Sequence, residues 1–251
     1  MKLALLFFAI TSLLTACSGT PSAPSKEEKL GQIYFDGGTQ DLNNGKFSEA
    51  LANLIKASKY QPDSAATWNN LGLAYAAKGD TVKARESWQK ALSIDSEFSD
   101  SRNNLGVLYF SEGKMDASEK EFKLVLKDLL YTKSFQVYYN LALIYLKERK
   151  TVQGEQYLKL SLKANKAYCP AWEKMGYLEK ERGDYQAALE SWRSAVGGTC
   201  YNNPELHYNV AGLYAHLHDK EKAKAKYLEI IELFPSSDWA KKAEANLNLM
   251  R

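Results

Sequence analysis

Apolar and polar positions along most of this chain follow a helical rhythm, and the rhythm itself repeats. Trp68-Asn69-Asn70-Leu71-Gly72-Leu73-Ala74-Tyr75 returns 34 residues later as Arg102-Asn103-Asn104-Leu105-Gly106-Val107-Leu108-Tyr109. It returns again as Tyr138-Tyr139-Asn140-Leu141-Ala142-Leu143-Ile144-Tyr145, then from Trp172 to Glu179, then from His207 to Tyr214. Behind each copy runs a second pattern at three- and four-residue spacing: Ala84, Trp88, Ala91; Ser118, Phe122, Val125; Gly154, Leu158, Ser161; Ala188, Trp192, Ala195; Ala223, Tyr227, Ile230. A weaker first copy holds Gly38, Ala50, Leu54, Ala57 and Pro62. Each unit therefore predicts two helices. The slot between them is filled by Gly45, Gly79, Gly113 and Gly183, as a left-handed turn residue requires, but by Arg149 and His218 in two units. Trp239, Ala243 and Leu247 predict one further helix.

These spacings resemble the tetratricopeptide repeat. The resemblance implies an all-α fold, a right-handed superhelical solenoid of about six tetratricopeptide helical hairpins over residues 31–237, closed by a capping helix over 238–251. The residue types make physical sense in such an array. Gly72, Gly106, Ala142, Gly176 and Ala211 let the helices of a hairpin approach closely, and Trp88, Phe122 and Trp192 fill the gap that the next hairpin presents. One hairpin cannot cover its own apolar face, so neighbours must stack. Leu105 to Leu141 spans 36 residues, which puts two extra residues near Asp128-Leu129-Leu130-Tyr131, where a helix or loop should lengthen.

The N-terminus breaks the pattern. Met1-Lys2 precedes an almost wholly apolar run from Leu3 to Leu14, too short to span a bilayer and shaped like a secretory signal. Leu14-Thr15-Ala16-Cys17 resembles the lipobox of bacterial lipoproteins. That resemblance implies a signal peptide over residues 1–16, with Cys17 lipidated and first in the mature chain. Ser18 after the cysteine, where Asp would retain such proteins, implies the outer membrane, with the protein facing the periplasm. Several acyl chains, at about 0.8 kcal/mol per buried methylene, anchor durably. Residues 17–30 read as the lipidated cysteine and a flexible tether, because Ser18 to Ser25 is Ser-, Pro- and Gly-rich.

Composition narrows the chemistry further. The formal net charge is only +3 over 251 residues, with Lys and Glu interleaved, which speaks against nucleic acid as a partner. Of the three cysteines, Cys169 opens the first helix of the fifth repeat and Cys200 follows its second. An antiparallel hairpin sets those ends side by side, and an exported protein meets oxidising conditions, so the pair reads as a structural disulfide, with two free thiols as the alternative. His207 sits where two other repeats carry Trp, and His216 and His218 do not share a helix face, so no metal site is expected. No nucleophile–base arrangement, phosphate loop or paired carboxylates stand out. The expectation is a protein that is not an enzyme, has no cofactor and takes no small-molecule substrate.

In stacked hairpins the first helices line a concave face. The positions expected to point into it, free of packing duties, are Phe35, Asn69, Leu73, Asn103, Val107, Phe110, Tyr139, Leu143, Leu146, Glu173, Tyr177 and Tyr208. Their apolar and aromatic character in the middle repeats suits an amphipathic helix or extended peptide. No run of Lys and Arg accompanies them. Six repeats behind a lipobox, with the insertion before Tyr139-Asn140-Leu141, resemble the PilF-, PilW- and Tgl-type pilotins of type IV pilus systems, and the cysteine pair is similar to the Tgl branch. The resemblance implies an outer-membrane lipoprotein that binds secretin subunits and promotes their localisation and assembly into the pilus pore. The alternative reading is a periplasmic adaptor that docks peptidoglycan hydrolases or proteases.

Overall fold

The computed structural model describes residues 24–250, and thirteen helices account for most of them. Six antiparallel hairpins follow one another: α1 (Lys26–Asn43) with α2 (Phe47–Tyr60), α3 (Ala65–Ala77) with α4 (Thr81–Ile94), and α5 (Ser99–Ser111) with α6 (Met115–Val125). Then come α7 (Ser134–Lys147) with α8 (Thr151–Ala164), α9 (Cys169–Glu181) with α10 (Tyr185–Val196), and α11 (Pro204–His216) with α12 (Lys220–Leu233). Helix α13 (Asp238–Leu249) covers the last hairpin. Cys17 and the segment before it lie outside the described residues.

Local chemistry sets the helix ends. The slot residue of every hairpin has positive φ, and Arg149 (61°) and His218 (62°) adopt the conformation that glycine takes in the other four. Asp80, Asp184 and Asp219 cap second helices, their carboxylates accepting the N–H groups of Lys83, Ala187 and Lys222. Helix α1 begins inside the stretch of residues 17–30 expected to be a flexible tether. Ser25 accepts the N–H of Glu28, and the Glu28 carboxylate accepts the N–H of Ser25, a reciprocal capping box that starts α1 at Lys26.

The core is a row of six clusters, each shared between neighbouring units. Ala50 and Leu54 meet Leu71 and Ala74; Trp88 meets Leu105 and Leu108; Phe122 meets Val137 and Leu141. Leu158 and Leu162 meet Ala171 and Met175, Trp192 meets Leu206 and Val210, and Tyr227 and Ile230 meet Ala243 of α13. Burying these faces only by stacking is what makes the array, and not the hairpin, the stable unit. Within hairpins the small residues do what close approach requires: a Cβ at Gly106 would lie 2.6 Å from the Phe122 ring, and one at Gly72 2.5 Å from the Trp88 ring.

Curvature follows from unequal spacing. Neighbouring first helices touch directly, α1 with α3, α5 with α7, and α11 with α13, and no pair of second helices approaches as closely. The first helices therefore lie on the inner curve. The two extra residues between the third and fourth hairpins lengthen the loop: α6 has only 11 residues, and the segment from Leu126 to Lys133 separates it from α7.

Candidate binding groove

An apolar stripe runs along the inner curve. Leu73, Val107, Leu143 and Tyr177 occupy the same position of α3, α5, α7 and α9, and none is fully buried; Leu73 is 37% and Val107 45% exposed. The position holds Thr39 before this stretch and Gly212 after it, so the stripe is confined to four central repeats. At its C-terminal half it deepens into a cleft of about 790 Å³, where Phe110, Leu143, Leu146, Tyr177 and Leu178 form an apolar wall. Lys147, Arg149 and Lys174 stand around it with Glu181. Lys147 lies 5.1 Å over the Phe110 ring and Lys174 6.0 Å from the Tyr177 ring. The first helices thus place both a greasy strip and a cationic margin in front of a guest. That margin is scattered over α7, its turn and α9, and so forms no run in the sequence.

Other side chains expected in the groove have structural tasks. Asn69 is buried at 5% exposure: its carbonyl oxygen accepts from Ser101 (3.1 Å) and Asn104 (3.0 Å), and its backbone carbonyl accepts from the Trp88 indole (3.2 Å). It belongs to the core and is unavailable to a partner. Phe35 packs against the first cluster, Asn103 is half-buried, and Tyr139 turns its edge to Tyr168 with ring centroids 5.5 Å apart. Burial, helped by Tyr168 and Glu173, pushes the Tyr139 phenol up to about 12. Tyr208 lies beneath α13, against Trp239, and accepts a 2.7 Å hydrogen bond from Asn246. Glu173 is half-buried, and burial raises its carboxyl above the usual range, opposed by Lys174 and reinforced by Glu205.

A set of asparagines, not among the side chains expected in the groove, ties the first helices together. Asn70 donates to Thr39, Asn104 to Asn69, Asn209 to the Tyr177 hydroxyl and Asn246 to the Tyr208 hydroxyl, each bond joining one first helix to the one before. The signal available in the sequence was their recurrence just before an apolar residue, at Asn70-Leu71, Asn104-Leu105, Asn209-Val210 and Asn246-Leu247. Outside the groove, Cys169 and Cys200 are joined by a disulfide with Cα atoms 5.8 Å apart. His207 is fully buried, with its Nε2 2.8 Å from the Tyr201 carbonyl. Among the described residues no group of three or more His, Cys, Asp or Glu side chains is placed to hold a metal ion, and no helix is long and apolar enough to cross a membrane.

Two family models, both described as tetratricopeptide repeat, match the chain, one over residues 35–97 and 174–238 and the other over 99–127 and 135–168. The chain belongs to the tetratricopeptide repeat family. As a tetratricopeptide repeat protein it is similar to the type IV pilus assembly protein PilF of Pseudomonas aeruginosa, with 26% identity over 235 residues that cover 93% of this chain and 92% of that one. The solved structure of Pseudomonas aeruginosa PilF matches with a TM-score of 0.75 at 22% identity, over 88% of this chain and all of that one. A structure of PilW, described as a widely conserved type IV pilus biogenesis factor, matches with a TM-score of 0.72 at 20% identity, over 85% of this chain and 98% of that one. Members of this family are typically protein-interaction scaffolds.

Proposed function

We propose that this protein is a pilotin: an outer-membrane lipoprotein, anchored through Cys17 and facing the periplasm, that holds secretin subunits and promotes their assembly into the pore of a type IV pilus. The observation that carries the reading is the uncovered stripe of Leu73, Val107, Leu143 and Tyr177, ending in the Phe110–Leu146 cleft, in a chain matched almost end to end by PilF. A solenoid needs nothing apolar at Leu73, Val107 and Leu143, which belong to none of the six clusters; Tyr177 alone of the four also packs against the Trp192 cluster. A guest helix or strand of a secretin monomer laid along the stripe would bury the four together. The lipid then sets that guest at the membrane where its pore must form.

The test has a cellular and a biochemical half. Deleting the gene should leave secretin monomers in place of heat-resistant multimers. A Val107→Glu, Leu143→Glu protein should fail to restore multimers, and in purified form it should bind secretin weakly while keeping its helical signal and unfolding midpoint. Multimers that persist without the gene, or undiminished binding by the double variant, would overturn the proposal.

A further inference from the structure

The loop of the central insertion carries the most exposed of the large apolar side chains among the described residues. Leu129 is 94% and Leu130 89% exposed, and the two are adjacent at a loop tip. Flexibility does not explain the exposure, because the loop is pinned on both flanks. Leu126 and Tyr131 pack against the Phe122 cluster. The Asp128 carboxylate accepts the N–H of Leu130 (3.0 Å) and the hydroxyl of Ser99 (2.7 Å), and the Tyr131 hydroxyl donates to Asp100 (3.1 Å). These contacts fix the loop against the start of α5 and leave the two leucines pointing away from the protein.

Where the tip lies in the array matters as much as what it carries. The antiparallel hairpins put the start of every first helix and the end of every second helix on one edge of the solenoid. Three contacts show it: Gln32 near the start of α1 with Gln61 after α2, Ser99 at the start of α5 with Asp128 after α6, and Cys169 at the start of α9 with Cys200 after α10. Ser25, the residue before α1, is on that edge, and so are Leu129 and Leu130. Seven residues lie between Cys17 and Ser25, and the eight steps of chain reach at most roughly 29 Å. A lipid on Cys17 would therefore hold the leucine-bearing edge close to the bilayer and leave the hairpin turns, on the other edge, facing away.

We propose that this edge lies against the membrane and that Leu129 and Leu130 insert into its phospholipid surface as a second contact, fixing the orientation of the array. The inference rests on the lipid-anchor reading of Cys17. Two leucine side chains fall far short of the roughly 800 Å² per partner that a stable protein interface buries, whereas a protein already held at a bilayer needs only a shallow apolar wedge to stop it tumbling. Lys127 and Lys133 flank the tip, Lys133 paired with Asp100 at 3.0 Å, and long lysine stems reach headgroup phosphates readily. With the edge so placed, the inner curve opens sideways along the membrane, within reach of a guest arriving there.

The full lipoprotein, carrying Leu130→Cys labelled with a polarity-sensitive fluorophore, is reconstituted into vesicles of phosphatidylethanolamine and phosphatidylglycerol that contain nitroxide lipid. Val82→Cys, on the opposite edge and 58% exposed, is the reference position. The expected result is a blue shift and loss of most emission at position 130, with position 82 unchanged. Protein that floats with the vesicles while both labels stay bright overturns the wedge and leaves the anchor standing. Protein that fails to float overturns both. A response at position 130 that follows protein concentration and not lipid assigns the tip to a second copy of the chain, and also overturns the membrane contact.

Discussion

At the scale of single residues, two glycines show how much the same side chain can mean different things. Gly106 faces the Phe122 ring, itself fully buried, so a methyl group there must displace an aromatic that has nowhere to go. Gly106→Ala should cost about 1–3 kcal/mol, as overpacked cores do. Gly212 sits mid-helix in α11 with nothing within 4 Å of an added Cβ, so Gly212→Ala should instead gain up to about 1 kcal/mol from helix propensity. Urea unfolding of the two variants decides it, and midpoints moving in the same direction would contradict the packing assigned here. His207 makes a pH-dependent prediction. Burial first, then Lys226, pushes its imidazole below the ordinary value near 6.5, while the Tyr201 carbonyl and Glu229 pull it up. Arg193 and Lys222 also line the depression beside it. Between the lowered folded value and 6.5 the unfolded chain binds more protons than the folded one, so stability is lost as pH falls through that window. The urea midpoint should drop between pH 7 and pH 5, and less so in His207→Gln, which keeps a donor for Tyr201. Parallel slopes in the two proteins would show that His207 is not the source.

Among elements, the disulfide is the strongest local constraint. It ties the start of α9 to the segment after α10 across a sequence separation of 31, beside the Trp192 cluster that holds the fifth hairpin to the sixth. Reduction, or the Cys169→Ala, Cys200→Ser pair, should lower stability by about 3–4 kcal/mol on the chain-entropy account, read as a shift of the guanidinium midpoint. No shift would mean that the hairpin is already held as tightly by packing. The elements themselves were legible in the sequence because helix-period patterns, caps and turn slots all agree. Gly79 or Gly113 could be placed from spacing alone, and Arg149 and His218 by analogy with them. The limits of α1 were not, since Ser25 and Glu28 stand in a polar stretch where only their reciprocal bond distinguishes a helix start from a tether. The groove was half legible for a similar reason. Position within the repeat identifies which side chains face inward, and it found Leu73, Val107, Leu143 and Tyr177. It does not reveal which inward side chains a neighbouring helix will claim: Asn69 and Tyr208 were claimed by Asn104 and Asn246, and the Tyr177 hydroxyl by Asn209 while its ring still lines the cleft.

The whole molecule inherits its behaviour from the way its core is divided. Six clusters, each shared by adjacent units, make stability a sum over neighbours, so damage should spread only as far as the interfaces it touches. Trp192 offers the sharpest test because it is fully buried and contacts both its own hairpin, at Gly176, and the sixth, at Leu206 and Val210. Trp192→Ala should cost about 3–5 kcal/mol locally. Hydrogen exchange should then quicken through α9 to α12, while α3 and α4, three interfaces away, keep their protection. Uniform loss of protection from α1 to α13 would make the array one cooperative body and would undo the neighbour account. The distinction reaches function, because the apolar stripe crosses four hairpins and no cluster spans them all. A guest lying along Leu73, Val107, Leu143 and Tyr177 would couple units that the solenoid itself joins only in pairs. Bound secretin segment should therefore slow exchange in α3 through α9 together, a change that a contact confined to one hairpin could not produce.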